Sequence, residues 1–307
     1  MTMQKLLMDV DTGIDDALAI AYAASIPHME LVGITTTYGM APVDYSYRNT
    51  RKILEYAGVD VPVFRGAEKP LQRTREYSGR IHGTDGLGNT LGPVTEVAST
   101  QHAADYLIEQ VYKHEAALTI VATGPLTNLA MAIRKAPEIA GLVGSVVIMG
   151  GAVMTPGNVT KFAEANIIID PEAASLVFGS SLPITMVGLD VTRKTLLTAR
   201  DVERWREGRN HLGKSLAPCT QFYLDAYKEL HPYLQGCALH DPLAVGVAAY
   251  PDLVQTVPMF IKVDLEEDAL GRTTEDIHRE GSGQPTTKVC VQVDADTFMQ
   301  DFFQRIG

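Results

Sequence analysis

Short apolar runs alternate with longer amphipathic stretches along this chain. The runs at 5–10, 31–37, 61–64, 118–122, 145–149, 184–189, 257–263 and 289–293 have the length and composition of buried strands. Between most of them, the stretches 43–57, 100–114, 126–135, 171–179, 213–230 and 242–249 repeat their apolar positions with a helical period, and 15–25 reads as an Ala-rich helix. Strands that alternate with helices predict βαβ units. The expected fold class is α/β, in three layers, with an open and mostly parallel sheet covered by helices on both faces. No repeat, low-complexity tract or Pro/Ser-rich linker interrupts the pattern, so residues 1–307 are expected to form a single domain.

In open α/β sheets, ligands bind beyond the carboxyl ends of the strands. The residues where the first strand ends and the following helix begins are therefore of interest, and they include Asp9, Asp11, Asp15 and Asp16. Like charges packed so closely repel one another, and desolvating each costs several kcal/mol or more unless a positive charge holds them. A divalent cation supplies that charge economically, and an all-oxygen set suits Ca²⁺ or Mg²⁺ better than Zn²⁺. A solvated acidic turn with helix N-cap aspartates is the competing reading. Acids and amides recur after later strands, at Thr123–Asn128, at Asn158, Glu164 and Asn166, and at Asp190, with no matching set of Lys or Arg. That balance favours a metal and a neutral polyhydroxyl ligand. A phosphate site is not indicated, because Gly124-Pro125 is not a Gly-rich loop and no Gly-Lys-Ser/Thr follows it.

Composition narrows the classes. The chain is acidic, with a net charge of −11, which argues against nonspecific binding to nucleic acid or to anionic membranes. Its three cysteines, Cys219, Cys237 and Cys290, lack metal-ligand spacing and suit a reducing compartment. No basic-then-apolar leader is seen, and no apolar run reaches the length of a membrane span. A cytoplasmic location is expected.

The assembled motifs resemble the inosine-uridine-type nucleoside hydrolases. They are the Asp-x-Asp-x-Gly-x-Asp-Asp pattern from Asp9 to Asp16, Ile81-His82-Gly83 with Asp85-Gly86-Leu87-Gly88, Thr123-Gly124-Pro125-Leu126-Thr127-Asn128, and Met149-Gly150-Gly151. Gly157-Asn158, Glu164-Ala165-Asn166, Leu239-His240-Asp241-Pro242 and Gly271-Arg272-Thr273 follow in order. The resemblance spans nearly the whole chain. It implies that family's mixed, mostly parallel sheet and cleavage of the N-glycosidic bond of ribonucleosides. It further implies a Ca²⁺ ion held by Asp11, Asp16, Asp241 and the Thr123 carbonyl, with the ribose 2′- and 3′-hydroxyls completing the shell. Asp11 would be the base that activates a water on the ion. Asp15 would hold the 2′-hydroxyl. Asn158 and Glu164 would hold chiefly the 5′-hydroxyl, with Asn166 and Met149 beside the sugar. The partner is a small ribonucleoside, and relatives imply a homodimer or homotetramer.

Some assignments keep alternatives. His240 is the best candidate to protonate the departing base, because imidazole titrates near neutral pH, with His82 on a Gly-rich loop as the second. Tyr223 and Tyr227 lie one turn apart on a helix and serve either the base or the core. Asp241 could be an ordinary cap before Pro242. Met40 stands where family members usually carry Asn, and its thioether cannot orient a water or a carboxylate. Two readings compete with the hydrolase. A haloacid-dehalogenase-like phosphatase fits Asp9-Val10-Asp11-Thr12 but leaves Asp15-Asp16 and His240-Asp241 unexplained. A nucleoside- or ribose-binding protein with little turnover has Met40 as its support.

Overall fold

The computed structural model describes residues 3–90, 99–279, 283 and 285–307. The chain runs β1 (Gln4–Val10), α1 (Ile14–Ser25), β2 (Met29–Thr36), α2 (Val43–Ala57), β3 (Val63–Arg65), α3 (Ala103–His114), β4 (Leu118–Ala122), α4 (Thr127–Lys135) and β5 (Ser145–Met149). It continues through α5 (Ala165–Ile169), α6 (Pro171–Phe178), β6 (Ile184–Val187), α7 (Leu189–Thr192), β7 (Leu196–Leu197), α8 (Ala199–Glu207), α9 (His211–Leu230), β8 (Cys237–Ala238) and α10 (His240–Ala249). It closes with β9 (Val254–Met259), β10 (Ile261–Val263), β11 (Thr273–Glu275), β12 (Thr287–Val293) and α11 (Ala295–Ile306).

Eight strands form the central sheet in the order β3-β2-β1-β4-β5-β6-β12-β9. All pair in parallel except β9, which runs antiparallel to β12 at the edge. The expected mostly parallel, mixed sheet is therefore present. β1 lies inside it, and the alternation of a strand sends Leu6, Met8 and Val10 into one apolar layer and Leu7 into the other. The first layer holds α1, α9, α10 and α11, and the second holds α3, α4 and α6. Both faces of β1 are thus covered, as its unbroken apolar run requires.

The structure corrects several boundaries. The apolar run 257–263 is two strands in two sheets. β9 ends at Met259, and β10 pairs instead with β11. Thr256, Val257 and Pro258 are exposed, and Pro258, which has no N–H to donate, is tolerated on an edge strand. The run 184–189 leaves the sheet at Val187, because Gly188 opens α7. The helix expected from 100 starts at Ala103, where the His102 ring accepts from the Ala104 amide. The helix expected from 213 starts two residues earlier, capped by Asn210.

Candidate active site

The parallel strands of the sheet end at one rim, and the chain turns there through the residues that the motifs single out. Asp11 follows β1 directly. Gly13 opens α1, and Asp16 reaches back to accept from the Gly13 amide at 2.9 Å. This places Asp15 and Asp16 in the first turn of α1, where the helix dipole favours negative charge. After β4, Thr123 donates its hydroxyl proton to Asp16 at 2.7 Å. After β2, the Met40 amide donates to Asp11 Oδ2 at 2.7 Å. A Cβ on Gly39 would stand 1.9 Å from that oxygen, so only glycine lets the main chain come so near. His240 and Asp241 begin α10, which packs beside α1.

All the predicted site residues line one cavity with about 590 Å³ of space. They are Asp11, Asp15, Asp16, His82, Thr123, Met149, Asn158, Glu164, Asn166, Tyr223, Tyr227, His240 and Asp241. Met40, Ile81, Val159, Ala165 and His231 share its wall. Asp9, the fourth aspartate of the motif, is not in it. Its Oδ1 accepts from Thr35 at 2.7 Å and from Asn128 at 2.8 Å, on the α4 side of the sheet. Asn128 also donates to the Thr36 carbonyl and accepts from the Ala67 amide, so it ties the ends of β1 and β2 together.

The carboxylates are buried and mutually repulsive. Burial, then Asp16 and Asp15, holds Asp11 well above the usual carboxylate range. Burial, then Asp15, raises Asp16 to about 7. Burial and the other three carboxylates raise Asp241. Among the described residues no Lys or Arg forms an ion pair with any of the four. One oxygen each of Asp15, Asp16 and Asp241 lie within 4.8 Å of one another. This all-oxygen, charge-excess donor set fits a hard divalent cation. Asp16 and Asp241 are two of the expected ligands, Asp15 lies beside them, and Asp11 contacts Asp16 while its Oδ2 accepts from the Met40 amide.

Glu164, Asn158 and Asn166 are anchored by the main chain. Glu164 caps α5: Oε1 accepts from the Asn166 amide, and Oε2 from the Gly151 and Ile167 amides. Asn158 accepts from the Ala165 amide. Asn166 donates to the Thr123 carbonyl at 2.7 Å and to the Met149 carbonyl at 3.2 Å. Self-capping and cavity lining are therefore properties of the same side chains.

At the opposite wall, His240 sits between two hydroxyls, with Nε2 2.7 Å from the Tyr227 hydroxyl and Nδ1 2.7 Å from Thr192 Oγ1. Burial pushes its pKa down to about 4. The expectation that this imidazole titrates near neutrality is not met, because desolvation disfavours the cation. His82 is lowered too, chiefly by burial, and its Nδ1 accepts from the Ile14 amide, which leaves its proton on Nε2. The Tyr223 hydroxyl lies 3.4 Å from both Asp15 and Tyr227. Tyr233 is exposed and outside the cavity. Thr192 and His231 were not anticipated. Thr192 lies two residues past Asp190, in the turn that a strand-to-loop search inspects, but a lone hydroxyl carries no pattern. Asp190 itself accepts from the Val153 and Met154 amides and supports the loop after β5.

The model of the inosine-uridine preferring nucleoside hydrolase family matches residues 6–300. An inosine-uridine preferring nucleoside hydrolase of Crithidia fasciculata is 36% identical over 99% of this chain and 98% of its own length. The pyrimidine-specific ribonucleoside hydrolase RihB of Escherichia coli O17:K52:H18 is 35% identical over 97% and 95%. The solved purine-preferring ribonucleoside hydrolase from Gardnerella vaginalis superposes with a TM-score of 0.95 at 44% identity, covering 98% of each chain. Fold and site thus define an N-glycosidase of ribonucleosides, a class of generally metal-dependent enzymes. The chain belongs to the inosine-uridine preferring nucleoside hydrolase family. That membership removes the phosphatase reading. Among the described residues no helix is long and apolar enough to cross a membrane.

Proposed function

We propose that this chain hydrolyses ribonucleosides to free base and ribose with one Ca²⁺ bound by Asp11, Asp16, Asp241 and the Thr123 carbonyl. The observation that carries this reading is the convergence of buried, uncompensated carboxylates and sugar-sized polar groups on one cavity. Held by these residues, the ion would supply positive charge that lowers the pKa of a nearby water and attracts the ribose hydroxyls. Asp11, one oxygen of which is fixed by the Met40 amide, takes the proton of the attacking water. Asp15 holds the 2′-hydroxyl. Glu164, Asn158 and Asn166 hold the rest of the sugar, with Met149 beneath it. As the bond to the base breaks, the sugar gains oxocarbenium character and the surrounding carboxylates stabilise it.

The departing base meets the hydroxyls of Tyr223 and Tyr227, with the buried His82 ring against Tyr223. His240 is neutral at pH 7. Its ring holds the Tyr227 hydroxyl through Nε2, which turns the phenolic proton toward the base, while Thr192 fixes its other nitrogen. A cytoplasmic homodimer or homotetramer of one-domain chains, serving nucleoside salvage or catabolism, completes the reading on resemblance alone.

Chromatography of the purified protein with a panel of purine and pyrimidine ribonucleosides tests this. Free base and ribose should appear, and their loss with a chelator should be reversed by Ca²⁺. The names of the relatives span both base classes, so the panel also assigns the preference. Tight binding of intact nucleosides without release of base would select the binding-protein reading instead.

A further inference from the structure

The peptide group between Gly39 and Met40 lies between two charges. Its N–H donates to Asp11 Oδ2 at 2.7 Å. Its carbonyl, at the other end of the same planar unit, accepts from Arg75 Nε at 3.0 Å and from Nη2 at 2.8 Å. Arg75 comes from the segment that precedes His82, far from both β1 and β2 in sequence. It forms no ion pair with a carboxylate among the described residues, and its other neighbour is the Tyr77 ring, 5.4 Å from the guanidinium carbon. A half-buried guanidinium without a carboxylate partner is costly unless something else answers its charge.

The geometry points to Arg75 as a positioning residue for Asp11, acting through the Gly39–Met40 peptide. The bidentate clasp fixes the carbonyl in a plane, and a planar peptide has no freedom to turn its N–H away once its oxygen is held. The guanidinium also polarises the amide, so the N–H that faces Asp11 is a stronger donor than an isolated one. The close approach depends on Gly39, since a Cβ there would overlap the carboxylate. The Arg75 charge further opposes the burial and the neighbouring carboxylates that push Asp11 upward. Met40 thus contributes to the site through its main chain, and the charge that a side-chain amide could not bring arrives from Arg75. Lysine would keep the charge but lose the two-pronged grip.

This inference rests on the role proposed above for Asp11, and the test separates the two. The wild-type nucleoside panel decides that role alone. With an active wild type, Arg75→Met should lower kcat by about 10–100-fold, the effect expected when a reacting group is misoriented, with KM changed less than about threefold. Guanidinium added to the variant should restore part of the rate in a saturable way, and Arg75→Lys should fall between. A second readout needs no turnover. In protein labelled with ¹⁵N-methionine, the Met40 amide proton, assigned by its absence from Met40→Leu, should move upfield in Arg75→Leu while the other methionine amides stay in place. An unmoved Met40 amide overturns the proposal. So does an unchanged kcat, or a raised KM with no rescue, which would mark Arg75 as a loop anchor only.

Discussion

At the residue scale, the site rests on groups whose acidity is displaced by burial, and His240 shows the consequence most directly. With a pKa near 4 it is not the resting acid that its type suggests. His240→Ala should slow natural nucleosides by about 10²–10⁴, the usual worth of acid catalysis. A riboside with a nitrophenol leaving group should be nearly unaffected, since that group needs no proton. Equal losses on both substrates, measured as kcat/KM, would show that His240 only positions or folds. The acidic residues were legible in the sequence because charge at a strand–helix junction is conspicuous. What the sequence did not reveal is direction. Asp9 and Asp11 stand two apart in one motif, yet Asp9 faces Asn128 and Asp11 faces the cavity. Thr192 escaped notice because hydroxyls are common and its role exists only through His240.

At the element scale, Asp170 joins four pieces of chain. Oδ1 accepts from the Ala173 amide and caps α6. Oδ2 accepts from the Thr127 hydroxyl at 2.7 Å and from the Leu71 amide at 3.0 Å, with the Tyr38 hydroxyl at 3.4 Å. Asp170→Ala leaves these donors unanswered in a buried setting, and unfolding free energy should fall by about 3 kcal/mol. Asp170→Asn, which keeps an acceptor, should lose less. Urea unfolding reads both, and a change under about 0.5 kcal/mol in the alanine variant would contradict the role. Most elements were visible in the sequence because a strand buried on both faces reads as an unbroken apolar run. The single strand expected over 257–263 failed because apolarity alone does not say which sheet a strand joins. Helix α11 carried its signal in Phe298, Phe302 and Ile306, one turn apart and fully buried, but its neighbours are polar and the stripe is narrow.

At the scale of the molecule, the carboxylate cluster ties stability to pH and to cations. Asp16 is raised from 3.8 to about 7 by burial. A carboxyl raised in the folded state contributes stability that is fully present below pH 3.8 and is lost as pH rises through 7. The cation-free protein should therefore become less stable between pH 5 and pH 8. On the proposed reading a bound cation would replace the proton, so the stabilising effect of Ca²⁺ should grow over the same interval. Thermal unfolding at pH 5 and pH 8, with chelator and with excess Ca²⁺, provides the comparison. The midpoint should fall with pH in chelator and stay nearly level in Ca²⁺, and parallel curves would show that the cluster holds no cation.

Three of the four clustered carboxylates lie at the start of the chain, and the fourth, Asp241, arrives on α10 against α1. During synthesis Asp11, Asp15 and Asp16 emerge long before their lid. Until α10 docks, water reaches them, and they have no more claim on a cation than any acidic turn. The late docking step creates both the strain and the affinity that relieves it. On the proposed reading the cation is held only once α10 has docked, so an N-terminal fragment that stops short of Asp241 should bind Ca²⁺ no better than an ordinary acidic turn.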